Sequence, residues 1–511
     1  MTTTTRLFMS AALCCAFAFT ATRAQAIEST HTQTIERNVH VAPFGANGAR
    51  YVYVPFDVPR GAVRITVSYD YAREGGANTL DLGVFDARSG GHGPSVSARG
   101  FRGWSGGRRA EFFISREEAT PGYLAGELPA GRWRIVLGLY KVTPAGVDVK
   151  FKIVVETGQA VTGRRASTLR RSTSPARKVA GSRVRWFAGD LHMHTVHSDG
   201  EWTVQGLVSA ARDSGLDFIF VTDHNTSSHH AEVDKANADS QRPLVMRGEE
   251  VTTYGGHANA WGLPVGEVLD FRVQPGDARG MSKVAARAHR VGALISVNHP
   301  FALCGGCDWS YGDALQEFDA VEVWNGEWDA TDESALKLWD GLLQRGLRPT
   351  AVAGSDSHRA QNPIGRPTTR VAAVGLTQAA LLDSIRRGRV YLTREARGGS
   401  LEFEAATGDI HSRSTWDEPR GPGEEVRLRA PGRVAFYVNL GEAIGGEPVA
   451  TVSVVSDGRV IRTFNGRPHL LTEIFEVECE RDGYYRLEVR DSAGAMLALT
   501  NPIYVKVGAR R

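Results

Sequence analysis

Cysteine is scarce in this chain, and long apolar runs are nearly absent. Only five cysteines occur in 511 residues, and two of them, Cys14 and Cys15, lie in the first 26. The remaining three are Cys304, Cys307 and Cys479. Cys304 and Cys307 have the spacing of half a zinc knuckle, but no second Cys pair completes it. A local disulfide, which an oxidising compartment permits, or a pair of free thiols is preferred. Beyond the first 26 residues no stretch approaches the ~20 apolar residues that a membrane span needs. Charge of one sign is lacking too. The formal net charge of +3 is too small to point to nucleic acid as a partner. Gly-x-Ser-x-Gly spacing occurs once, at Gly103-Trp104-Ser105-Gly106-Gly107, in the strand-patterned first region and without the helix that follows a nucleophile elbow, so a serine hydrolase lacks its main cue. No Walker-type phosphate loop is present either.

The one sustained apolar run, Leu7 to Thr20, follows Arg6 and precedes Ala24-Gln25-Ala26, a small-x-small cleavage site. This is the pattern of a secretory leader over residues 1–26, cleaved after Ala26. The run is short for a membrane anchor. Leu13 stands where a lipoprotein site prefers a small residue. The expected destination is the periplasm or the exterior.

The rest of the chain changes character three times. Residues 27–157 read as strands. Val63, Ile65, Val67 and Tyr69 alternate with polar residues, and Val147, Val149, Phe151 and Ile153 do the same. Gly-rich turns such as Glu74-Gly75-Gly76 separate the runs, which is the signature of an antiparallel β-sandwich. No chemical cluster is visible in it, so an accessory domain is expected. Residues 158–183 are rich in Arg, Lys, Ser, Thr and Gly without an acid, and read as a basic solvated linker. From 184 to 400 short apolar strands (Leu216–Thr222, Leu294–Val297, Ala320–Trp324, Thr350–Ala353) alternate with helical spacing such as Val204, Leu207, Val208 and Ala211. Gly215 and Gly346 are helix stops. About seven βα units fit here, which predicts a parallel sheet or a compact barrel. Over 401–511 strand alternation returns, with Asp457-Gly458 and Asp482-Gly483 as hairpin turns, and predicts a second sandwich. The fold class expected is multidomain: a central α/β barrel between two all-β sandwiches.

Ten of the fifteen histidines lie between His192 and His358. His192 and His194, alternating along a strand, present both imidazoles on one face. Asp199 follows in a Ser-Asp-Gly turn. Further candidates end successive strands: Asp223 and His224, then Glu250 with His257 shortly after it, then His299, then Asp356 and His358. In a parallel α/β barrel the strand C-termini share one rim, where active sites sit. A single histidine ending a strand is ordinarily a packed or surface residue. Nine candidate ligands, His192, His194, Asp199, His224, Glu250, His257, His299, Asp356 and His358, on one rim point instead to a metal centre. Imidazole and carboxylate together suit Zn, Mn or Fe. The number exceeds the three protein ligands of a single catalytic zinc, so two or three divalent ions are expected. Glu249 would face away from Glu250 on the same strand. Asp223 could orient an imidazole. His197 at the rim is a candidate to touch substrate or act as an acid, and Arg366, in Ile364-Gly365-Arg366-Pro367, a candidate contact for an anionic group; a surface His and a structural Arg are the alternatives. His229, His230 and His289 fit no motif.

These motifs, in order, resemble the PHP (polymerase and histidinol phosphatase) superfamily over about 215 residues. The matching residues are Asp-Leu-His192-x-His194-Thr, Ser-Asp199-Gly, Thr-Asp-His224-Asn, Gly-x-Glu250, His257, Asn-His299-Pro and Ser-Asp356-Ser-His358. Gly-Glu-Glu-Val-Thr-Thr…Gly-His-Ala-Asn and Val-Glu-Val-Trp-Asn-Gly are similar to its carbaryl-hydrolase-like branch. The resemblance implies a distorted (β/α)7 barrel with a di- or trinuclear site. His192, His194, Glu250 and Asp356 would hold one ion, Glu250, His257 and His299 a second, and Asp199, His224 and His358 a third. Asp199 stands where some members have His. The family does not fix the substrate, since its members hydrolyse phosphomonoesters, phosphodiesters and, in this branch, a carbamate ester.

The expected function is an exported metal-dependent hydrolase of a small, anionic ester. Phosphoester hydrolysis comes first, because clustered positive charge suits phosphoryl oxygens. Carbamate or carboxylic ester hydrolysis on the same site is the alternative. A non-catalytic cell-envelope binding protein is the rival from another class. Expressed with its own leader, the chain should be exported with Ile27 at its N-terminus, as read by N-terminal sequencing. An exported protein retaining Met1 would contradict the cleavage site.

Overall fold

The computed structural model describes residues 29–43, 49–91, 97–158, 184–239, 242–408, 410, 413–441, 444, 448–465 and 471–508. The expected leader over 1–26 and nearly all of the basic linker, 159–183, lie outside the described residues.

The N-terminal region is two four-stranded antiparallel sheets. One runs in the order Ser29–Val41, Val147–Gly158, Ala62–Tyr71, Glu111–Ser115, and the other Tyr51–Val58, Gly131–Lys141, Thr79–Phe85, Phe101–Trp104. The alternating residues read from the sequence turn one face inward: Ile65, Val67, Val149, Phe151 and Ile153 share a core with Leu82, Ile135 and Trp133. A fully buried aliphatic side chain of this kind contributes about 1.5–3 kcal/mol.

The central region begins at strand β1 (Arg185–Asp190). There follow α1 (Val204–Ser214), β2 (Phe218–Val221), α2 (His230–Asp239), β3 (Leu244–Thr253) and β4 (Gly256–Trp261). Next come α3 (Ala278–Arg290), β5 (Leu294–Asn298), β6 (Ala320–Asn325), α4 (Ala330–Gln344) and β7 (Thr350–Gly354). Strand β8 (Thr368–Ala373), α5 (Gln378–Arg386) and β9 (Val390–Thr393) complete it. The helices form where the periodicity places them. Thr203 caps α1 by accepting from the Gly206 N–H, and Gly215, at φ 81°, stops it. Val204, Leu207, Val208 and Ala211 form its buried face.

The strand order is β7-β6-β5-β4-β3-β2-β1-β8-β9. The expected all-parallel sheet is only half right. β1–β2, β2–β3, β5–β6 and β6–β7 are parallel, whereas β3–β4, β4–β5, β1–β8 and β8–β9 are antiparallel. The reason for the first reversal is local. Gly256 takes φ 133°, a conformation open to glycine, and folds β4 back on β3 as a hairpin. The ends of β1 and β7 also meet. The Asp356 N–H donates to the His192 carbonyl at 2.9 Å and the His194 N–H to the Ser357 carbonyl at 3.0 Å. Pairing there is limited to one isolated bridge, Met193–Ser357. What the strand pairing describes is a mixed, strand-rich sheet whose ends approach each other, not a regular parallel barrel.

Within the C-terminal region, a sheet of four strands stands apart, in the order Asp417–Arg420, Leu401–Thr407, Gly432–Leu440, Leu471–Cys479. Opposite it, the strand Met496–Thr500 pairs antiparallel with β9, so the second layer continues the central sheet across residue 400. This pairing covers the edge of β9, whose four residues are all buried. No described helix is long and apolar enough to cross a membrane.

The N-terminal sandwich joins the central region through an aromatic contact. Phe271 lies against Tyr51, Phe101 and Trp104, with ring centroids 6.1, 5.7 and 4.8 Å away. Phe271→Ala should lower unfolding free energy by about 3–5 kcal/mol in urea titration. It should also increase proteolysis between the two regions. A change below ~1 kcal/mol would mean the contact is not a cohesive one.

Candidate metal centre

The segment after β1 carries the first two donors. Leu191 and Met193 point into the core, so His192 and His194 face the opposite way, and all four are buried. The continuations of β2, β3, β5 and β7 bring His224, Glu250, His299 and Asp356 to the same place. The β3–β4 hairpin adds His257. In its register Thr252 lies opposite His257, and Glu250 shares the Thr252 face, so the carboxylate and the imidazole meet. Asn225, His299 and Asp356 have φ of 51°, 26° and 50°. Left-handed backbone at non-glycine residues costs free energy and concentrates at functional sites.

Glu250 is the hub. Its Oε1 lies 3.3 Å from His192 Nε2, 3.2 Å from His257 Nδ1 and 3.1 Å from His299 Nε2. Its Oε2 lies 2.8 Å from His224 Nδ1 and 3.5 Å from His194 Nε2. Asp356 Oδ1 lies 3.0 Å from His194 Nε2 and 3.4 Å from His192 Nε2. Asp199 Oδ1 lies 3.2 Å from His358 Nε2 and 3.4 Å from His224 Nε2. All nine ligands expected from the sequence converge. They fall into four overlapping groups whose donor atoms lie within 4.8 Å of one another. These are His194, Asp199, His224 and His358; His192, His194 and Glu250; His192, His299 and Asp356; and Glu250, His257 and His299. The first and last reproduce the expected third and second sets, with His194 added to the third.

Divalent cations fit this donor set. His192 Nε2, both nitrogens of His194, Glu250 Oε2, His299 Nδ1 and Asp356 Oδ1 are buried and make no hydrogen bond. An unsatisfied buried polar atom costs about 1–3 kcal/mol, more if charged, so a set of six on five clustered residues calls for partners that the side chains themselves do not supply. The proton affinities agree. Burial disfavours charge on every member, yet the imidazoles around Glu250 hold its carboxyl well below the usual range, and those around Asp356 do the same there. At His224 burial opposes protonation, but the Asp199 and Glu250 carboxylates outweigh it and push the imidazole up to about 9. Burial and two neighbouring imidazoles push His194 down to about 4. Imidazoles and carboxylates that neutralise each other in this way can exchange their protons for divalent ions.

Partners around the cluster aim the ligands. The His192 Nδ1–H donates to Glu322 Oε1 at 2.9 Å, which leaves Nε2 for the cluster. Glu322 Oε2 accepts from the His299 N–H at 3.1 Å and from Asn325 Nδ2 at 3.0 Å. The His358 Nδ1–H donates to the Asp356 carbonyl at 2.8 Å, leaving its Nε2 free to ligate. Sequence reading passed over Glu322; a single acid between two valines of a buried strand was the available signal. Asp190 is another omission. It accepts N–H bonds from His192, Ser355 and Gly365 at 3.2, 3.0 and 2.8 Å, tying together three segments that carry or flank ligands. Glu249 faces away, as expected, and accepts from the Leu269 N–H at 2.9 Å.

The three non-ligand candidates are placed differently. Asp223 accepts from the Thr195 N–H and hydroxyl, at 2.7 and 2.6 Å, and from the Ser198 hydroxyl at 2.6 Å. It holds the turn that presents Asp199, and the imidazole it meets is His229, 3.2 Å from its Oδ2, which is not among the candidate ligands. His197 turns away from the cluster to Ser228 (2.8 Å) and Glu232 (3.1 Å). Arg366 pairs with Glu395 at 2.5 Å and does not line the cleft. Both corrections have one cause: an acid or hydroxyl from another segment captures a side chain that was expected to be free.

The cluster opens into a cleft of about 470 Å3. One wall belongs to the N-terminal sandwich, through Asp81, Trp104, Arg108 and Tyr140. Tyr254 donates to Asp81 at 2.5 Å. Burial pushes the Asp81 carboxyl up to about 6, against the opposing pull of that hydroxyl and of His224. The loop with the Cys304–Cys307 disulfide forms another wall, and Cys307 Sγ lies 3.9 Å from His257. Joined to each other, the two sulfurs leave His257 to Glu250. Cys479 is free and buried.

No protein-family model and no curated protein matches the sequence. Solved structures give distant likenesses. One is a two-domain protein from Bacteroides vulgatus containing a predicted PHP-like metal-dependent phosphoesterase. It has TM-score 0.37 and 17% identity, covering 62% of this chain and 95% of that one. Another is an amidohydrolase from Chromobacterium violaceum with sulfate bound and no metal. It has TM-score 0.27 and 17% identity, covering 35% of this chain and 90% of that one.

Glu322→Gln retains shape but removes the charge that orients His192. It should weaken divalent-metal affinity by roughly tenfold to a hundredfold in chelator competition, without unfolding the chain. Unchanged affinity would show that Glu322 serves packing alone.

Proposed function

We propose that this chain is an exported metal-dependent hydrolase of the PHP type, acting on a small anionic phosphoester in a distorted (β/α)7 framework. The observation that carries the reading is the set of six buried polar atoms without a hydrogen bond, on five residues of the clustered His, Asp and Glu groups. His192, His194, Glu250 and Asp356 would hold one ion, Glu250, His257 and His299 a second, and Asp199, His224 and His358 a third. Zn, Mn and Fe all match the donor chemistry. Bound divalent ions supply Lewis acidity and lower the pKa of water to ~7.

The chain's own residues do the rest. Glu322 holds the His192 ring so that its Nε2 stays turned inward. Asp223 fixes the turn before Asp199, and Asp190 holds His192 in register with the loop after β7. The sandwich forms one side of the cleft through Asp81, Trp104, Arg108 and Tyr140. The aromatic rings of Trp104, Tyr140 and Tyr254 lining the cleft also favour a second reading, aryl carbamate or carboxylic ester hydrolysis at the same centre. Export with cleavage after Ala26 belongs to the proposal and rests on the leader pattern alone.

Elemental analysis of purified protein should find two or three divalent ions per chain. Assays after Mn, Zn or Fe loading should give turnover on an aryl phosphate or a bis-aryl phosphate, ahead of an aryl carbamate. His192→Ala should lose metal and lower turnover by orders of magnitude while both flanking β regions stay folded. Full activity in that variant, or a metal-loaded protein inert on all three esters, would sink the assignment.

A further inference from the structure

Arg108 is the only lysine or arginine among the residues that line the metal cleft, and it comes from the N-terminal sandwich. The side chain is exposed, and among the described residues its guanidinium has no ion pair or hydrogen bond. Arg88, Arg102 and Arg132 of the same sandwich reach a carboxylate; Arg60, Arg99 and Arg116 are open like Arg108 but do not line the cleft. An open guanidinium beside a polar cluster is free to meet an oxyanion from solvent.

The backbone that carries it is held from both sides. The turn Ser105–Arg109 is bound to the strand behind it, with the Ser105 N–H donating to the Leu82 carbonyl at 2.9 Å and the Leu82 N–H to the Gly106 carbonyl at 3.0 Å. Arg109 Nη2 donates at 2.7 Å to the carbonyl of Val196, which lies between His194 and Asp199. Nearby, the Gly122 N–H donates to Ser228 at 3.0 Å, and the Thr226 hydroxyl donates to the Gly122 carbonyl at 3.0 Å. The backbone carrying Arg108 is therefore clamped to the backbone carrying the ligands. Asp81, the acid on the same wall, is engaged with Tyr254 and makes no ion pair with Arg108.

We infer that Arg108 is a specificity-determining residue that binds a phosphoryl oxyanion of the substrate at the metal cleft, so that the N-terminal sandwich contributes to the active site. The inference rests on the phosphoesterase reading but can fail separately from it. Arg108 binds and orients the group; it breaks no bond.

The test uses metal-loaded full-length protein and two probes, inorganic phosphate by isothermal titration and para-nitrophenyl phosphate by steady-state kinetics. Arg108→Ala should weaken phosphate binding and raise KM roughly tenfold to a hundredfold, with less effect on kcat. Its ratio of kcat/KM for para-nitrophenyl phosphate over the neutral para-nitrophenyl acetate should fall by a similar factor. Arg108→Lys should recover some of the loss. Arg132→Ala, which removes an exposed cation elsewhere on the sandwich, should change neither probe. Equal phosphate affinity in wild type and Arg108→Ala, or a parallel loss on the neutral ester, would overturn the inference. If phosphate binding depends on Arg108 but no phosphoester is cleaved, the subsite stands and the phosphoesterase reading falls.

Discussion

A buried carboxylate surrounded by imidazoles sets the terms for the rest of this molecule. Glu250 lies within 3.5 Å of five histidines. Its two oxygens cannot offer well-aligned acceptor geometry to five imidazoles at once. In a low-dielectric interior such an arrangement is costly unless a cation stands among the donors. The surroundings are correspondingly rigid. Glu322 fixes one ring, Asp190 joins three segments, and Asp223 holds the turn before Asp199.

The sheet answers the same demand. Parallel pairing alone would bring strand ends to one rim. The β3–β4 hairpin does something parallel strands cannot: it returns the chain within three residues of Thr253, so that Glu250 and His257 come from adjacent antiparallel strands. The return depends on Gly256 at φ 133°. Behind β9, pairing with Met496–Thr500 extends the sheet into the C-terminal region, and Asn501 hydrogen-bonds both the N–H and the carbonyl of Ala351 in β7. The C-terminal region thus supports the sheet from the side. The N-terminal sandwich does different work, since its turn and aromatic face form a wall of the cleft itself.

Much of this was legible in the sequence. Period-two alternation gave the N-terminal strands, because one face of a sandwich must be apolar. The α1 boundaries were legible because Thr203 and Gly215 have local reasons to begin and end a helix. The clustering of nine imidazole and carboxylate residues was legible because they recur at successive strand ends, which a sheet brings to one side. The mixed strand directions were not legible, since periodicity does not record which way a strand runs. Whether His197 and Arg366 meet substrate or serve the structure was not legible either, since it depends on partners from distant segments, Ser228 with Glu232 and Glu395.

By itself the sequence determined which imidazoles and carboxylates are candidate ligands, their order along the chain and the strand ends near which they lie, because those follow from residue chemistry and local periodicity. Only the tertiary structure decided which donors share a neighbourhood, that Glu322 aims His192, and that an accessory-looking sandwich contributes Arg108 to the cleft. These depend on distances between residues far apart in the chain. Arg108 lies more than eighty positions before Asp199, and nothing in the intervening residues records that the two meet at one opening.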